Sequence, residues 1–206
     1  MVSQRPAQRG KYLEDEVLGD LGLSVQDLSK ALSYVYSVVD ELDKTLLSKG
    51  EVRLAKLIEL ANLSAVIGNL FRGGVSRASE GRFVANAPHK YPDLVSTDPR
   101  FESIEIKVAL EGNKPKGHLV KPGPHLTVRY ILGTEEGKYL PGKDQRGDVV
   151  WIWEIRAGHL TTEHFNLSNT EGDSGKTAVV NKEGMAALKV VYLDLDRCPL
   201  SSLRTA

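Results

Sequence analysis

Residues 91–110 read YPDLVSTDPRFESIEIKVAL, and the way this stretch is threaded decides the fold. Two short apolar runs flank the turn residues Thr97, Asp98, Pro99 and Arg100, which predicts a β-hairpin. Side chains alternate across a strand, so Glu105 and Lys107 leave one face of the second run while Ile104, Ile106 and Val108 leave the other. Two charged groups then stand side by side on a sheet that is otherwise apolar. With Asp93 of the first run facing the same way, three charges converge. Two carboxylates suit Mg²⁺, an ion that keeps several waters and usually takes only one or two protein carboxylates. A lysine beside them can orient or help deprotonate a water, or stabilise charge in a transition state. On an exposed hairpin the same residues would be an ordinary solvated face.

Upstream, two helices are expected. Ser24 is placed as an N-cap with Asp27 reaching back to it, and Val25, Leu28, Leu32, Val35, Val39, Leu42 and Leu46 follow at helical spacing until Gly50. A second helix is expected over 51–71, with Gly73-Gly74 as its stop. Val52, Ala55, Leu63, Val66 and Leu70 share a stripe that Glu59 and Asn62 interrupt, and a buried carboxylate is costly unless paired or bound to a metal. Pairing with Arg53 or Lys56 at the edge of the stripe is the alternative for Glu59. Residues 72–90 are rich in Gly, Ser, Ala and Arg, with a short strand expected over 81–85. Arg72, Arg77, Arg82, His89 and Lys90 lie here, either as contacts to a nucleic-acid backbone or as part of a plain polar loop.

Downstream, residues 111–125 (EGNKPKGHLVKPGPH) hold too many breakers for a helix or strand. Long loops in compact domains are usually functional or disordered. Lys114, Lys116, His118 and Lys121 are the candidates here for following a nucleic-acid backbone. LTVRYIL (126–132) and VVWIWEI (149–155) are expected strands, with further strands over 160–167 and 189–195 and a short helix over 182–188. Trp151 and Trp153 alternate onto one face, where core packing is the expected role.

At 206 residues, with 41% hydrophobic and 26% charged residues, the chain fits one globular domain, 1–206, divided into a helical elaboration (1–50) and a core (51–206). No apolar run is long enough to span a bilayer, and MVSQRPAQRGKYLEDE lacks the apolar segment of a signal peptide, so a cytoplasmic location and no membrane partner are expected. One cysteine, Cys198, excludes an internal disulfide, and the five histidines show no HExxH spacing. Net charge is zero, yet residues 72–129 carry ten Lys/Arg against six Asp/Glu, an asymmetry suggestive of a phosphate-facing side.

The Pro92-Asp93 pair followed by Glu105-Ile106-Lys107 resembles the PD-(D/E)XK nuclease superfamily, typified by type II restriction endonucleases. The resemblance covers residues 51–110. It implies an α/β fold, a restriction-endonuclease-like central mixed sheet flanked by helices, here with an N-terminal helical pair, although the chain past Leu132 is richer in strand than the minimal core requires. It further implies Asp93 and Glu105 as Mg²⁺ ligands, the Ile106 carbonyl completing the coordination, Lys107 positioning the water, and Glu59 as an additional acid from the preceding helix, with Glu80 as a second candidate. The expected activity is Mg²⁺-dependent hydrolysis of double-stranded DNA at a short specific site by a homodimer, with no organic cofactor. A repair or junction-resolving nuclease, and a non-catalytic DNA-binding or interaction protein, are the alternatives.

Overall fold

The computed structural model describes residues 11–12, 15–87, 90–168 and 177–201. The expected polar arm at 1–10, His89, the turn residues at 169–175 and the tail from 202 lie outside them. Among the described residues the helices are α1 (Asp15–Asp20), α2 (Val25–Ser48), α3 (Leu54–Leu57), α4 (Leu60–Ala78) and α5 (Lys182–Ala187). The strands are β1 (Lys11–Tyr12), β2 (Phe83–Ala85), β3 (Leu94–Ser96), β4 (Glu105–Leu110), β5 (Lys116–Gly117), β6 (Gly123–Gly133), β7 (Val149–Leu160), β8 (Phe165–Ser168), β9 (Thr177–Val180) and β10 (Lys189–Leu193). The fold is mixed α/β. A central five-stranded sheet runs β1-β10-β7-β6-β4, with β4 parallel to β6 and the other pairs antiparallel. A two-stranded β2-β3 ribbon and a three-stranded β5-β9-β8 sheet accompany it. No helix among the described residues is long and apolar enough to cross a membrane.

The expected capping box starts α2. The Asp27 N–H donates to Ser24 Oγ (3.2 Å) and the Ser24 N–H donates to Asp27 Oδ2 (2.9 Å), satisfying two amides that a helix start leaves open. Leu28, Ala31, Leu32, Val35 and Val39 then form one buried stripe. They share a core with Leu63, Ile67 and Phe71 of α4 and with Ile106, Val128, Tyr130 and Ile152 of the sheet. The Tyr36 hydroxyl also accepts from the Ile152 N–H (2.9 Å), so α2 is built into the core rather than appended to it.

The second helix differs from expectation at both ends. Extended backbone at Ile58 and Glu59 splits it into α3 and α4, and α4 runs through Gly73-Gly74 to Ala78. Gly74 does not stop the helix because it serves a contact: a Cβ there would lie 2.9 Å from the Ala31 Cα, so its absence lets α2 and α4 approach closely. Gly68 does the same on a milder scale toward Val108 of β4, where a Cβ would sit at 3.2 Å.

The expected hairpin is also rearranged. Its two runs meet only at Leu94 and Ile104, whose N–H and C=O groups exchange bonds at 2.9 Å. The full partner of β3 is β2, and that of β4 is the parallel β6. The cause lies in the connection, where the Arg100 N–H donates to Asp98 Oδ1 (3.0 Å) and Ser96 Oγ donates to the Asp98 carbonyl (2.8 Å), turning the chain away before a ladder can form. The strand expected over 160–167 is broken by a 3-10 turn, Thr162–His164.

The alternation read from 104–108 holds. Ile104 and Ile106 face the helices in the main core, and Glu105 and Lys107 face the other way, but both faces are buried. That second face is polar across three strands: Glu105 and Lys107 on β4, His125, Thr127 and Arg129 on β6, Glu154 and Arg156 on β7. A bulge at Trp153, where Arg129 pairs with Glu154 and Tyr130 with Ile152, adds one residue to β7 and re-aims Glu154 onto this face. Trp151 and Trp153 pack with Ile131, Val149 and Cys198, as expected of core residues.

Candidate active site

The single Leu94–Ile104 bridge does the positioning. It sets Asp93, one residue ahead of β3, opposite the start of β4, where Asp93 Oδ2 accepts the Ile106 N–H at 2.8 Å. The N–H and C=O of one strand residue leave on the same edge, so the Ile106 carbonyl faces the edge that Asp93 occupies. Asp93 Oδ1 lies 4.0 Å from the Arg72 guanidinium of α4.

Glu105 is 2% exposed and carries two lysines on one oxygen. Oε1 accepts from Lys107 Nζ and, at 2.6 Å, from Lys121 Nζ; Oε2 is buried and has no partner among the described residues. Lys107 is enclosed by β5, where a Cβ on Gly117 would sit 3.3 Å from Nζ. Lys121 is more open, its side chain 26% exposed against 9% for Lys107, and its ammonium lies 4.7 Å over the Tyr91 ring. The Tyr91 hydroxyl donates to the Pro122 carbonyl (3.0 Å), tying the Lys121 loop to the segment that carries Asp93.

In parallel register with Glu105 stands His125, fully buried. Its Nδ1 lies 2.9 Å from the Gly123 carbonyl, and because a carbonyl only accepts, that nitrogen holds the proton. Nε2 is therefore a bare acceptor, and among the described residues it has no partner; neither does Thr127 Oγ1, which stands in register with Lys107. Three orphaned polar atoms thus lie on adjoining positions of β4 and β6, an expensive arrangement in a dry core.

Electrostatics separate the two carboxyls. Burial raises Asp93, Glu105 beside it raises it further, and the Ile106 N–H and the lysines offset this only in part. Burial also works against the Glu105 carboxylate, but the charges and hydrogen bonds of Lys107 and Lys121 outweigh it and leave Glu105 lowered. Burial holds His125 near 4, against the weaker upward pull of its bond to Gly123, so the imidazole is neutral at physiological pH. Among the described residues no three His, Cys, Asp or Glu side chains gather into a metal cage. Two carboxylates with an orphaned Oε2 do fit Mg²⁺, which keeps most of its waters, and they do not fit a structural zinc site.

Of the candidate site residues, Asp93, Glu105, Ile106, Lys107 and Lys121 come together. Glu59 does not. It is exposed ahead of α4, thirteen positions before Arg72 and hence roughly 20 Å away along the axis, because the break at Ile58 turns it out of the stripe. Glu80 is likewise exposed and pairs with Lys30 at 3.7 Å. Arg82, half-buried, bonds to Asp27 (2.8 Å) and to the Ser79 and Gly22 carbonyls, so all three of its guanidinium nitrogens have partners within the fold. Arg77 is exposed over the Tyr34 ring, and Lys90, Lys114, Lys116 and His118 are exposed.

Arg72, read from the sequence as a possible backbone contact, comes beside Asp93 instead, and His125 and Thr127 join the site without having been singled out for it. A signal for the latter two was present: HLTVR alternates polar and apolar residues, marking a strand with a second, polar face. No protein-family model matches the chain, and no curated protein matches it.

Proposed function

We propose that the protein is a Mg²⁺-dependent endonuclease that hydrolyses phosphodiester bonds of double-stranded DNA. The observation that supports this most is Glu105, whose buried Oε2 lacks a partner beside Asp93, while its other oxygen holds two lysines. Asp93 Oδ1 and Glu105 Oε2, with the Ile106 carbonyl on the same edge, would hold the ion. When bound, Mg²⁺ supplies polarisation of the scissile phosphate and acidification of a water for in-line attack. Lys107, shut in by Gly117, holds a fixed positive charge where negative charge builds up during attack. Lys121 presents its ammonium on the open side, toward an incoming phosphate. The exposed Lys90, Lys114 and Lys116 supply positive charge for the DNA backbone, in the manner that makes binding salt-dependent, and the exposed His118 lies on the same segment as the last two.

The reading extends to a type II restriction endonuclease acting in the cytoplasm as a homodimer. Leu42 and Leu47, both 41% exposed near the end of α2, offer apolar surface for a second copy. The test is incubation with plasmid and phage DNA in Mg²⁺ and in EDTA. Discrete bands support a restriction enzyme, and cleavage confined to branched DNA points to a junction-resolving one. Absence of cleavage with every divalent metal, or wild-type cutting by both Asp93→Ala and Lys107→Ala, overturns the nuclease reading.

A further inference from the structure

The site's charge balance poses a problem for metal binding. Two carboxylates, Asp93 and Glu105, face three cations: Arg72 at 4.0 Å, Lys107, and Lys121 at 2.6 Å. The cluster already carries a surplus positive charge. A divalent ion entering alone would raise that surplus to about three charges within a few ångströms, which Coulomb repulsion in a partly dry site opposes strongly. A phosphodiester arriving with the ion brings the missing negative charge.

Resting on the nuclease reading, we propose that Lys121 is an internal cation that holds the place of the metal at Glu105, and so makes metal binding and phosphodiester binding depend on each other. Three features single out Lys121 rather than Lys107 or Arg72. Lys121 shares Glu105 Oε1 with Lys107, so Glu105 keeps one lysine when Lys121 leaves. Its side chain is the most exposed of the three, 26% against 9% for Lys107 and 14% for Arg72, so turning it toward solvent displaces the least packing. It sits on a loop flanked by Pro122 and Gly123, anchored by the bond from Tyr91 to Pro122, so the ammonium can move while the backbone stays. In the metal-free protein Lys121 neutralises Glu105. When ion and DNA arrive together it turns from the carboxylate to the phosphate, so that the incoming anion replaces the carboxylate as its partner. No covalent step is involved. Linkage makes the effect reciprocal: DNA tightens the metal by the same factor as the metal tightens DNA. The consequence is an endonuclease that stays unloaded until substrate is present.

The experiment measures Mn²⁺ affinity by electron paramagnetic resonance on wild type, Lys121→Met and Lys121→Arg, each alone and with a phosphorothioate duplex that resists cleavage. Removing one unit charge beside a divalent ion should tighten Mn²⁺ binding to free Lys121→Met at least about tenfold over wild type. Duplex should tighten Mn²⁺ on wild type by a similar factor and on Lys121→Met by much less. Lys121→Arg keeps the charge and should follow wild type, which separates the electrostatic role from a role of the side chain in packing. Equal Mn²⁺ affinity of free wild type and free Lys121→Met overturns the proposal, as does equal tightening by duplex in both. If wild type cuts DNA yet shows either result, only the place-holding role fails. If wild type neither cuts nor binds Mn²⁺ with duplex present, the nuclease reading fails with it.

Discussion

Two buried glutamates stand on the same polar face of the central sheet and are treated in opposite ways. Glu154, 1% exposed, has both carboxylate oxygens occupied: Arg129 on Oε2 and Arg156 on Oε1 at 3.0 Å. Arg129 is further stacked 4.5 Å over the Trp153 ring. Glu105, 2% exposed, has both its lysines on Oε1 and nothing on Oε2. The difference follows from the cations. Arginine's planar fork matches a carboxylate and spreads its hydrogen bonds, so a guanidinium on each side closes Glu154 completely. Lysine is a point charge that neutralises without filling the geometry, and it leaves Glu105 able to accept more. A closed ion cluster is architecture; a neutralised but unfilled carboxylate is a place for a ligand.

Cutting the closed cluster is therefore expected to have the largest effect on stability. Glu154→Ala leaves the buried Arg129 and the half-buried Arg156 without an anion, and breaking a buried pair in this way costs roughly 3–5 kcal/mol. Thermal or urea unfolding should show this loss, while whatever folded protein remains keeps its cleavage rate per molecule. A near-wild-type midpoint would mean that Arg129 and Arg156 reach water and that the two glutamates do not differ as described.

The matched change at the open site should invert that pattern. Glu105→Gln keeps the shape and removes the charge; cleavage is expected to fall at least ~10²-fold, since even changes one shell farther out from a metal cost 10–100-fold. Stability should fall by less than for Glu154→Ala, because the glutamine oxygen still accepts from the enclosed Lys107 and Lys121 can turn into solvent. Urea midpoints of the two variants, measured side by side, check this. A larger midpoint loss for Glu105→Gln than for Glu154→Ala breaks the comparison.

Much of the open site was legible in the chain, because it depends on local alternation. The Glu105/Lys107 face, the α2 capping box and the strands around TVRYI and VVWIW follow from period and propensity alone. What was not legible depends on contacts between distant segments. Gly74 reads as a helix stop, yet it is a close-packing position whose need arises only once Ala31 lies against it. Glu59 reads as buried if the helix is continuous, and becomes exposed because the chain breaks at Ile58. Lys121 reads as one more loop lysine; only the parallel pairing of β4 with β6 folds its loop back over Glu105. The closed cluster escapes the eye for a different reason, since the bulge at Trp153 shifts Glu154 out of simple alternation.

His125 links the two sites through β6 and gives the protein a sensitivity to acid. Its folded pKa, about 4, lies below the ordinary histidine value of 6.5. The unfolded chain therefore binds the proton more readily between those values. The stability that rests on neutral His125 is fully present above pH 6.5, declines as pH falls, and is gone below about 4. One pKa unit corresponds to about 1.4 kcal/mol, so the loss reaches at most about 3.5 kcal/mol at the acid limit and about 1.4 kcal/mol at pH 5.5. His125→Gln should flatten the urea-stability profile between pH 4 and 6.5. A profile in which His125→Gln and wild type run parallel through that window would falsify the assignment.

The smallest effect belongs to Asp93, and its sign is the informative part. Burial and the neighbouring Glu105 raise its pKa, so ionising Asp93 at neutral pH costs the folded protein stability, and the cost appears as pH rises through the folded value. Asp93→Asn removes that charge while its amide oxygen still accepts the Ile106 N–H, so the backbone junction between β3 and β4 survives. The melting temperature at pH 7 should rise slightly, and the rise should vanish in strong acid, where aspartate is already protonated. On the proposed nuclease reading, cleavage should be lost in the same variant, because an amide replaces the carboxylate that would hold the metal. A lowered melting temperature at pH 7 would mean that the 4.0 Å approach of Arg72 outweighs burial, and Asp93 would then belong with Glu154 as architecture rather than with Glu105 as a place held open.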